Sequence, residues 1–196
     1  MNEITLANRV QRVKPSPTLS ITARVAELRA GGRDIIGLGA GEPDFDTPDH
    51  IKEAAIQAIR AGFTRYTAVD GTPELKKAII AKFRRDNGLD YAPEQILVSC
   101  GGKQSFFNLC QALLNSGDEV IIPAPYWVSY PDMVRLADGE PVIIRAGADS
   151  GFKITPSQLG AAITARTRLV VINSPSNPTG VAYTREELAA LGEVLR

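Results

Sequence analysis

Four short stretches hold residue types suited to gripping a small ligand. Ser99-Cys100-Gly101-Gly102-Lys103-Gln104 stands between an apolar run and a helix-forming run. Backbone N–H groups at a helix start point outward, the helix dipole favours an anion there, and glycine lets the anion approach the main chain. The stretch is a candidate phosphate seat. It lacks the glycine and Lys-Ser/Thr spacings of a P-loop or dinucleotide fingerprint, and a plain strand-to-helix turn also accounts for Gly-Gly. Ser174-Pro175-Ser176-Asn177-Pro178-Thr179-Gly180 follows the apolar run at 169–172. Its prolines stiffen the loop and leave Asn177 as a rigidly held amide; a simple tight corner is the alternative. Pro123-Ala124-Pro125-Tyr126-Trp127 contains the only tryptophan. That indole suits stacking on a heteroaromatic ring, or packing in a core or interface. Gly39-Ala40-Gly41-Glu42-Pro43-Asp44-Phe45 is a glycine turn whose amides suit a carboxylate.

Other chemically capable residues have plainer explanations. His50, the only histidine, follows Pro48 and Asp49 at a helix start and is expected to face solvent. Asp44 and Asp46 suit turn and cap geometry. Lys82, Arg84 and Arg85 suit a solvated helix face. Cys100 and Cys110 lack the spacing of a metal knuckle or redox pair and are expected as small apolar core residues.

The elements that must position these loops can be read from periodicity and punctuation. Pro15 and Pro17 exclude a continuous opening helix, and Thr18 or Ser20 is the expected cap of a helix ending at Gly31-Gly32. Ile35-Ile36-Gly37-Leu38 reads as a strand. Thr47 as cap and Pro48 at the first position open a helix with the stripe Ile51, Ala54, Ala55, Ala58 and Ile59. Thr72 and Pro73 open another, running to about Asn87. Ile96-Leu97-Val98 reads as a strand, followed by a helix from Lys103 to about Leu114. Then come a strand at 119–122 closed by Pro123, a helix near 130–136, a strand at 141–144, a helix near 156–163 and a strand at 169–172. Thr184 and Glu187 form a capping box for the last helix. Strands apolar throughout and separated by helices imply an α/β fold, a mostly parallel sheet covered by helices on both faces. In such sheets, loops at the carboxyl ends of strands line the ligand crevice.

Composition narrows the function. The 196 residues hold 22 basic and 22 acidic side chains, with 44% hydrophobic residues. That neutrality argues against a general nucleic-acid binder. No apolar run reaches the roughly 18 to 20 residues that span a bilayer, and the first thirty residues do not read as a secretory signal. A soluble cytoplasmic protein, with neither nucleic acid nor membrane as partner, is the expectation.

The order Gly39 to Phe45, Arg65-Tyr66, Gly101-Gly102-Lys103-Gln104, Pro125-Tyr126-Trp127 and Asn173 to Gly180 resembles the class I pyridoxal-phosphate-dependent aminotransferases, of the aspartate or aspartate/prephenate type. The likeness runs from Val10 to Arg196 and corresponds to the N-terminal half of a family member. It implies the fold type I architecture of that family, with residues 1–46 as N-terminal arm and part of a small domain and 47–196 as an incomplete large, cofactor-binding domain. It further implies that Gly102, Lys103 and Gln104 bind the pyridoxal 5'-phosphate phosphate and that Trp127 stacks on its ring. Asn177 would donate to the ring hydroxyl oxygen and contact the substrate carboxylate, which Gly41 would also receive. Tyr66 would reach the phosphate of a neighbouring subunit, so a homodimer is implied. Lys103 and Thr18 match the pair that receives the side-chain carboxylate in the subgroup using aspartate; a cation at a helix start is poorly placed unless an anion is near. The implied activity is transfer of an amino group between an amino acid, aspartate favoured, and a 2-oxo acid. From the family, cis peptide bonds are expected before Pro125 and Pro178.

The departures carry equal weight. None of the seven lysines stands in the serine-rich context of the family's Schiff-base lysine, and the family's later aspartate and arginine have no counterpart here. The chain therefore carries no catalytic lysine and is expected to be an inactive fragment alone. Alternatives are a non-catalytic module for a phosphorylated ligand, a lyase or synthase using the same cofactor and fold, or an aggregation-prone truncation with an uncovered sheet edge.

Overall fold

Proline and glycine punctuate this chain, and several of its helices start or stop beside them. The computed structural model describes residues 4–39 and 41–196. Helix α1 (Asn8–Gln11) is a single turn, and α2 (Pro17–Ala30) begins with proline at its first position, where a missing N–H costs nothing. Ser16, not Thr18 or Ser20, is the cap: its hydroxyl accepts the Leu19 N–H at 3.5 Å. Gly31-Gly32 ends α2 as expected, with Gly32 at φ +80°. Helix α3 (Asp49–Arg60) starts beyond Pro48, which itself occupies the flanking position, and Thr47 does not cap it. Helix α4 (Pro73–Lys82) is capped by Thr72, whose hydroxyl accepts the Leu75 N–H at 3.4 Å. One π turn at Phe83–Asn87 extends α4 to Gly88, which closes it at φ +65°.

The remaining elements alternate. They are α5 (Gly102–Leu113), β1 (Glu119–Ala124), α6 (Ser129–Leu136), β2 (Glu140–Arg145), α7 (Pro156–Ala162), β3 (Thr167–Val170) and α8 (Arg185–Val194). Among the described residues the strands form one sheet in the order β2-β1-β3, with every pairing parallel. Two expected strands, 35–38 and 96–98, join no ladder; an apolar run becomes a strand only where a neighbour offers it hydrogen bonds. Val98 finds a single bond, donating its N–H to the Asp70 carbonyl at 3.1 Å.

β1 outruns its expected stop, because Pro123 continues in register opposite Ile144. A proline is tolerated in this central strand because the β3 ladder has already ended at the Ile121–Val170 pair. Side chains of β1 alternate between two cores. Val120 and Ile122 pack with Cys110 and Leu114 around α5, and with Val134 and Ala137 around α6. Ile121 packs on the other face with Ile154, Leu159 and Leu191. Ile121 is fully buried, and burial of such a side chain contributes about 1.5–3 kcal/mol. Helices thus cover both faces of a parallel sheet.

The start of the sheet is fastened by charge. Glu119 accepts from the Thr164 hydroxyl at 2.6 Å and from Arg166 Nε at 2.9 Å. Asp118 accepts the Asn115 N–H at 2.8 Å and Arg168 Nε at 3.2 Å. Arg12 pairs with Asp138.

The chain divides into two units, one combining residues up to Arg24 with 106–196, the other comprising residues 25–105. The first contains the sheet. In the second, Lys76 is buried and paired with Asp70, and Phe83 meets Tyr91 edge-on at 5.4 Å. None of the described residues of α3 is buried, so its apolar stripe is left largely uncovered by the described residues.

Candidate functional site

In the sheet unit, two loops leave the carboxyl ends of adjacent parallel strands. β1 hands the chain to Pro125, Tyr126 and Trp127 through a cis Ala124–Pro125 bond, and the run after β3 hands it to Asn173–Gly180. The bonds before Pro125 and Pro178 are cis as expected, and the one before Pro175 is cis as well. Tyr126 and Tyr130 from one side, and Asn173 and Ser176 from the other, line a common cavity floored by Ile122 and Val171. Both loops thus contribute to its wall, through Pro125 and Tyr126 on one and Asn173 and Ser176 on the other, while Trp127 and Asn177 are not among the residues that line it.

Trp127 is held half-buried on the first of these loops. Its ring meets Tyr130 edge-on at 5.3 Å, and Tyr130 in turn meets Phe106 at 5.0 Å. Edge-on contact holds the indole from its side. Burial pushes the Tyr130 phenol above its ordinary pKa, so it stays neutral.

The Asn177 loop is pinned from within. Gly180 donates its N–H to the Ser176 carbonyl at 2.8 Å, and Ser176 donates its own to the Val181 carbonyl at 2.9 Å. Gly180 sits at φ +72°, where a side chain would be strained. The Tyr183 N–H reaches Ser174 Oγ at 3.0 Å, and the Tyr183 hydroxyl accepts the Ile154 N–H at 3.0 Å. Asn173 Oδ1 accepts the N–H of Asn177 at 2.8 Å. Asn177 itself is exposed. Asn173, Ser174, Tyr130 and Tyr183 had no individual role in the sequence reading. Their work is side-chain hydrogen bonding and ring packing across the fold, which spacing along a chain does not encode.

Thr18 belongs to the same unit, half-buried in the first turn of α2, with its carbonyl accepting the Thr22 hydroxyl at 2.9 Å. The other expected residues, Gly41, Tyr66, Gly102, Lys103 and Gln104, belong to the second unit. There Gly101 takes φ +88° and turns the chain into α5, with its N–H on the Ser99 carbonyl at 2.8 Å. Gln104 folds back, and its Oε1 accepts the Cys100 N–H at 2.5 Å. An α-helix offers no internal acceptor to the amides of its first turn. A Cβ built on Gly102 would meet nothing within 4 Å, so the turn is open to a ligand. Cys100 is exposed on it, contrary to the expected core position, because the turn projects beyond the packed part of the helix. Cys110 is buried, and burial pushes its thiol up to about 11.

Gly41 is exposed with open space around it, and Ala40 of the same turn lies outside the described residues. Tyr66 is fully exposed. His50 faces solvent, as expected. Among the described residues no helix is long and apolar enough to cross a membrane, and no cluster of side chains could hold a metal ion.

Comparison with known proteins accords with this arrangement. The family profile "Aminotransferase class I and II" matches residues 33–196. Aspartate/prephenate aminotransferase of Nitrosomonas europaea is 66% identical over 191 residues, which are 97% of this chain and 48% of the relative. Aspartate aminotransferase of Geobacillus stearothermophilus is 59% identical over 189 residues, again 48% of its length. The crystal structure of the aspartate aminotransferase from Rhizobium meliloti superposes with a TM-score of 0.95 at 53% identity, covering 98% of this chain and 48% of that one. The chain thus spans about half the length of the curated relatives it matches. With 164 consecutive residues inside the family profile and a matching parallel sheet, this chain belongs to the class I and II aminotransferases.

Proposed function

We propose that this chain is the cofactor-cradling portion of a pyridoxal-phosphate-dependent aminotransferase that moves an amino group between an amino acid, aspartate favoured, and a 2-oxo acid. One observation carries the reading: the loops bearing the sole indole and the exposed Asn177 amide rise from adjacent parallel strands around one cavity. An open helix-start turn at Gly102 is a donor set suited to a phosphate. The names of the relatives support aminotransfer over a bare phosphate-binding module or a lyase.

Pyridoxal phosphate, when bound, supplies an electron sink for the negative charge that develops at the amino acid's α-carbon. The chain's own residues bind and orient. Gly102, Lys103 and Gln104 offer main-chain N–H groups to the phosphate. Trp127 offers an indole to the ring, steadied at its edge by Tyr130. Asn177 offers a neutral donor to the ring hydroxyl oxygen and to the substrate carboxylate, adding no charge that competes with the ring's own. Gly41 offers its backbone to that carboxylate. Thr18 and Lys103 receive an acidic side chain, which accounts for the aspartate preference. Tyr66, exposed to its full extent, suits a reach into a second subunit of a homodimer. Residues 1–46 serve as arm and small-domain segment, and 47–196 as part of the large domain. We assign the chain to the cytoplasm.

Trp127 makes the test direct, being the only tryptophan. Pyridoxal phosphate titrated into the 196-residue chain should quench its fluorescence saturably, and inorganic phosphate should compete. Trp127→Phe removes the signal, while Gly102→Asp, which sets a carboxylate in the phosphate seat, should weaken binding by tenfold or more, about 1.4 kcal/mol. Quenching that phosphate does not relieve, or that G102D leaves intact, counts against the reading.

A further inference from the structure

We propose that Asn173 is a positioning residue that aims Asn177 at the ring hydroxyl of the cofactor; this rests on the function proposed above. The loop from Ser174 to Tyr183 is anchored at its base by two side chains, Ser174 Oγ and the Tyr183 hydroxyl, and closed across its neck by the Ser176 and Val181 main chain. Those three bonds fix where the loop lies. They leave the peptide of Asn177 undetermined, because its N–H finds no main-chain acceptor within the turn. The residue that follows is proline, which has no N–H to contribute.

The Asn173 carboxamide oxygen supplies the missing acceptor, at 2.8 Å from the Asn177 nitrogen. The peptide plane ahead of Asn177 sets the direction of its Cα–Cβ bond, and hence the arc its side-chain amide can reach. Asn173 is itself half-buried and is one of the residues lining the cavity, as is Tyr126. Asparagine suits the place for a second reason. An aspartate would accept the same N–H but would bring a negative charge toward the ring oxygen that Asn177 serves.

The decisive comparison pairs a protein change with a ligand change. Pyridoxal phosphate and its 3-deoxy analogue, which lacks the ring hydroxyl, are titrated against wild type and Asn173→Ala by Trp127 fluorescence. We expect N173A to weaken pyridoxal phosphate about tenfold, the size of one neutral hydrogen bond, and to leave the 3-deoxy compound unchanged. Equal losses for both compounds, or no loss for either, overturn the positioning role. A second readout needs no ligand. The Asn177 amide in wild type and in Asn173→Asp, which keeps the acceptor, should exchange with solvent about tenfold more slowly than in N173A. Unchanged exchange in N173A overturns the clamp itself. If wild type binds neither compound, it is the proposed function that fails, and the amide measurement still decides whether Asn173 holds Asn177.

Discussion

Gly71 illustrates how one position joins backbone and side-chain constraints. It sits at φ +107°, and a Cβ there would lie 2.5 Å from Val98 Cγ2 and 2.9 Å from Val98 Cβ. Gly71→Ala therefore meets both a strained backbone and a collision with a β-branched side chain that has little room to turn. We expect a loss of about 3 kcal/mol in urea unfolding. The double variant G71A/V98A should recover only the part due to the collision, since the backbone strain stays. Full recovery would mean that φ at this position costs nothing. The two cysteines separate by environment in the same way. Cys110 is fully buried with its thiol raised to about 11, so iodoacetamide should leave it untouched in the native chain. Cys100 is exposed and should take the single label seen by mass spectrometry, with a second appearing only in denaturant.

Elements hold their places through caps and charges at their ends. Thr184 caps α8 by accepting the Glu187 N–H at 3.2 Å, while Glu187 accepts the Thr184 N–H at 2.7 Å and pairs with Lys153 at 2.5 Å. Thr184→Ala should cost about 1 kcal/mol of stability in chemical denaturation. At the head of the sheet, the Thr164 hydroxyl and then Arg166 hold Glu119 below the ordinary carboxylate range. The Asn115 N–H and then Arg168 do the same for Asp118. A carboxyl depressed in the folded state adds stability that is complete above its unfolded pKa, about 4, and is lost as pH falls through the folded value. Acid unfolding should therefore set in below about pH 4, and Glu119→Gln should be less stable at neutral pH yet decline less steeply in acid. Equal acid slopes for the two chains would remove Glu119 from the account. The Thr184–Glu187 capping box and the strand cores at 119–122 and 169–170 were legible in the sequence, since both are local patterns. The loops that carry Trp127 and Asn177 were legible too, through proline and glycine. The fate of 35–38 and 96–98 was not: whether an apolar run pairs depends on which strands lie beside it. Nor was the Asn173–Asn177 bond, which spans four residues of irregular loop.

At the scale of the whole chain, the question is what its uncovered apolar surface does in water. The sheet ends on one side at β3, but that edge is four residues long and carries Arg168, with Arg166 just before it, both features that discourage edge-to-edge pairing. The run 35–38 has no such protection. Ile36 is 84% exposed and Leu38 92%, Arg29 donates to the Ile35 carbonyl at 2.9 Å, and no ladder among the described residues consumes the segment's backbone groups. An exposed apolar segment with unspent hydrogen-bonding capacity is the usual seed of association. Sedimentation velocity should therefore show the chain self-associating as its concentration rises toward about 100 µM. Ile36→Lys with Leu38→Lys should return it to monomer, because charge on that run opposes stacking without touching either core of the sheet. A substitution on the sheet edge, Arg168→Val, should sharpen association far less. If R168V dominates and the lysine pair has no effect, β3 is the sticky edge and the short charged strand has failed as its own guard.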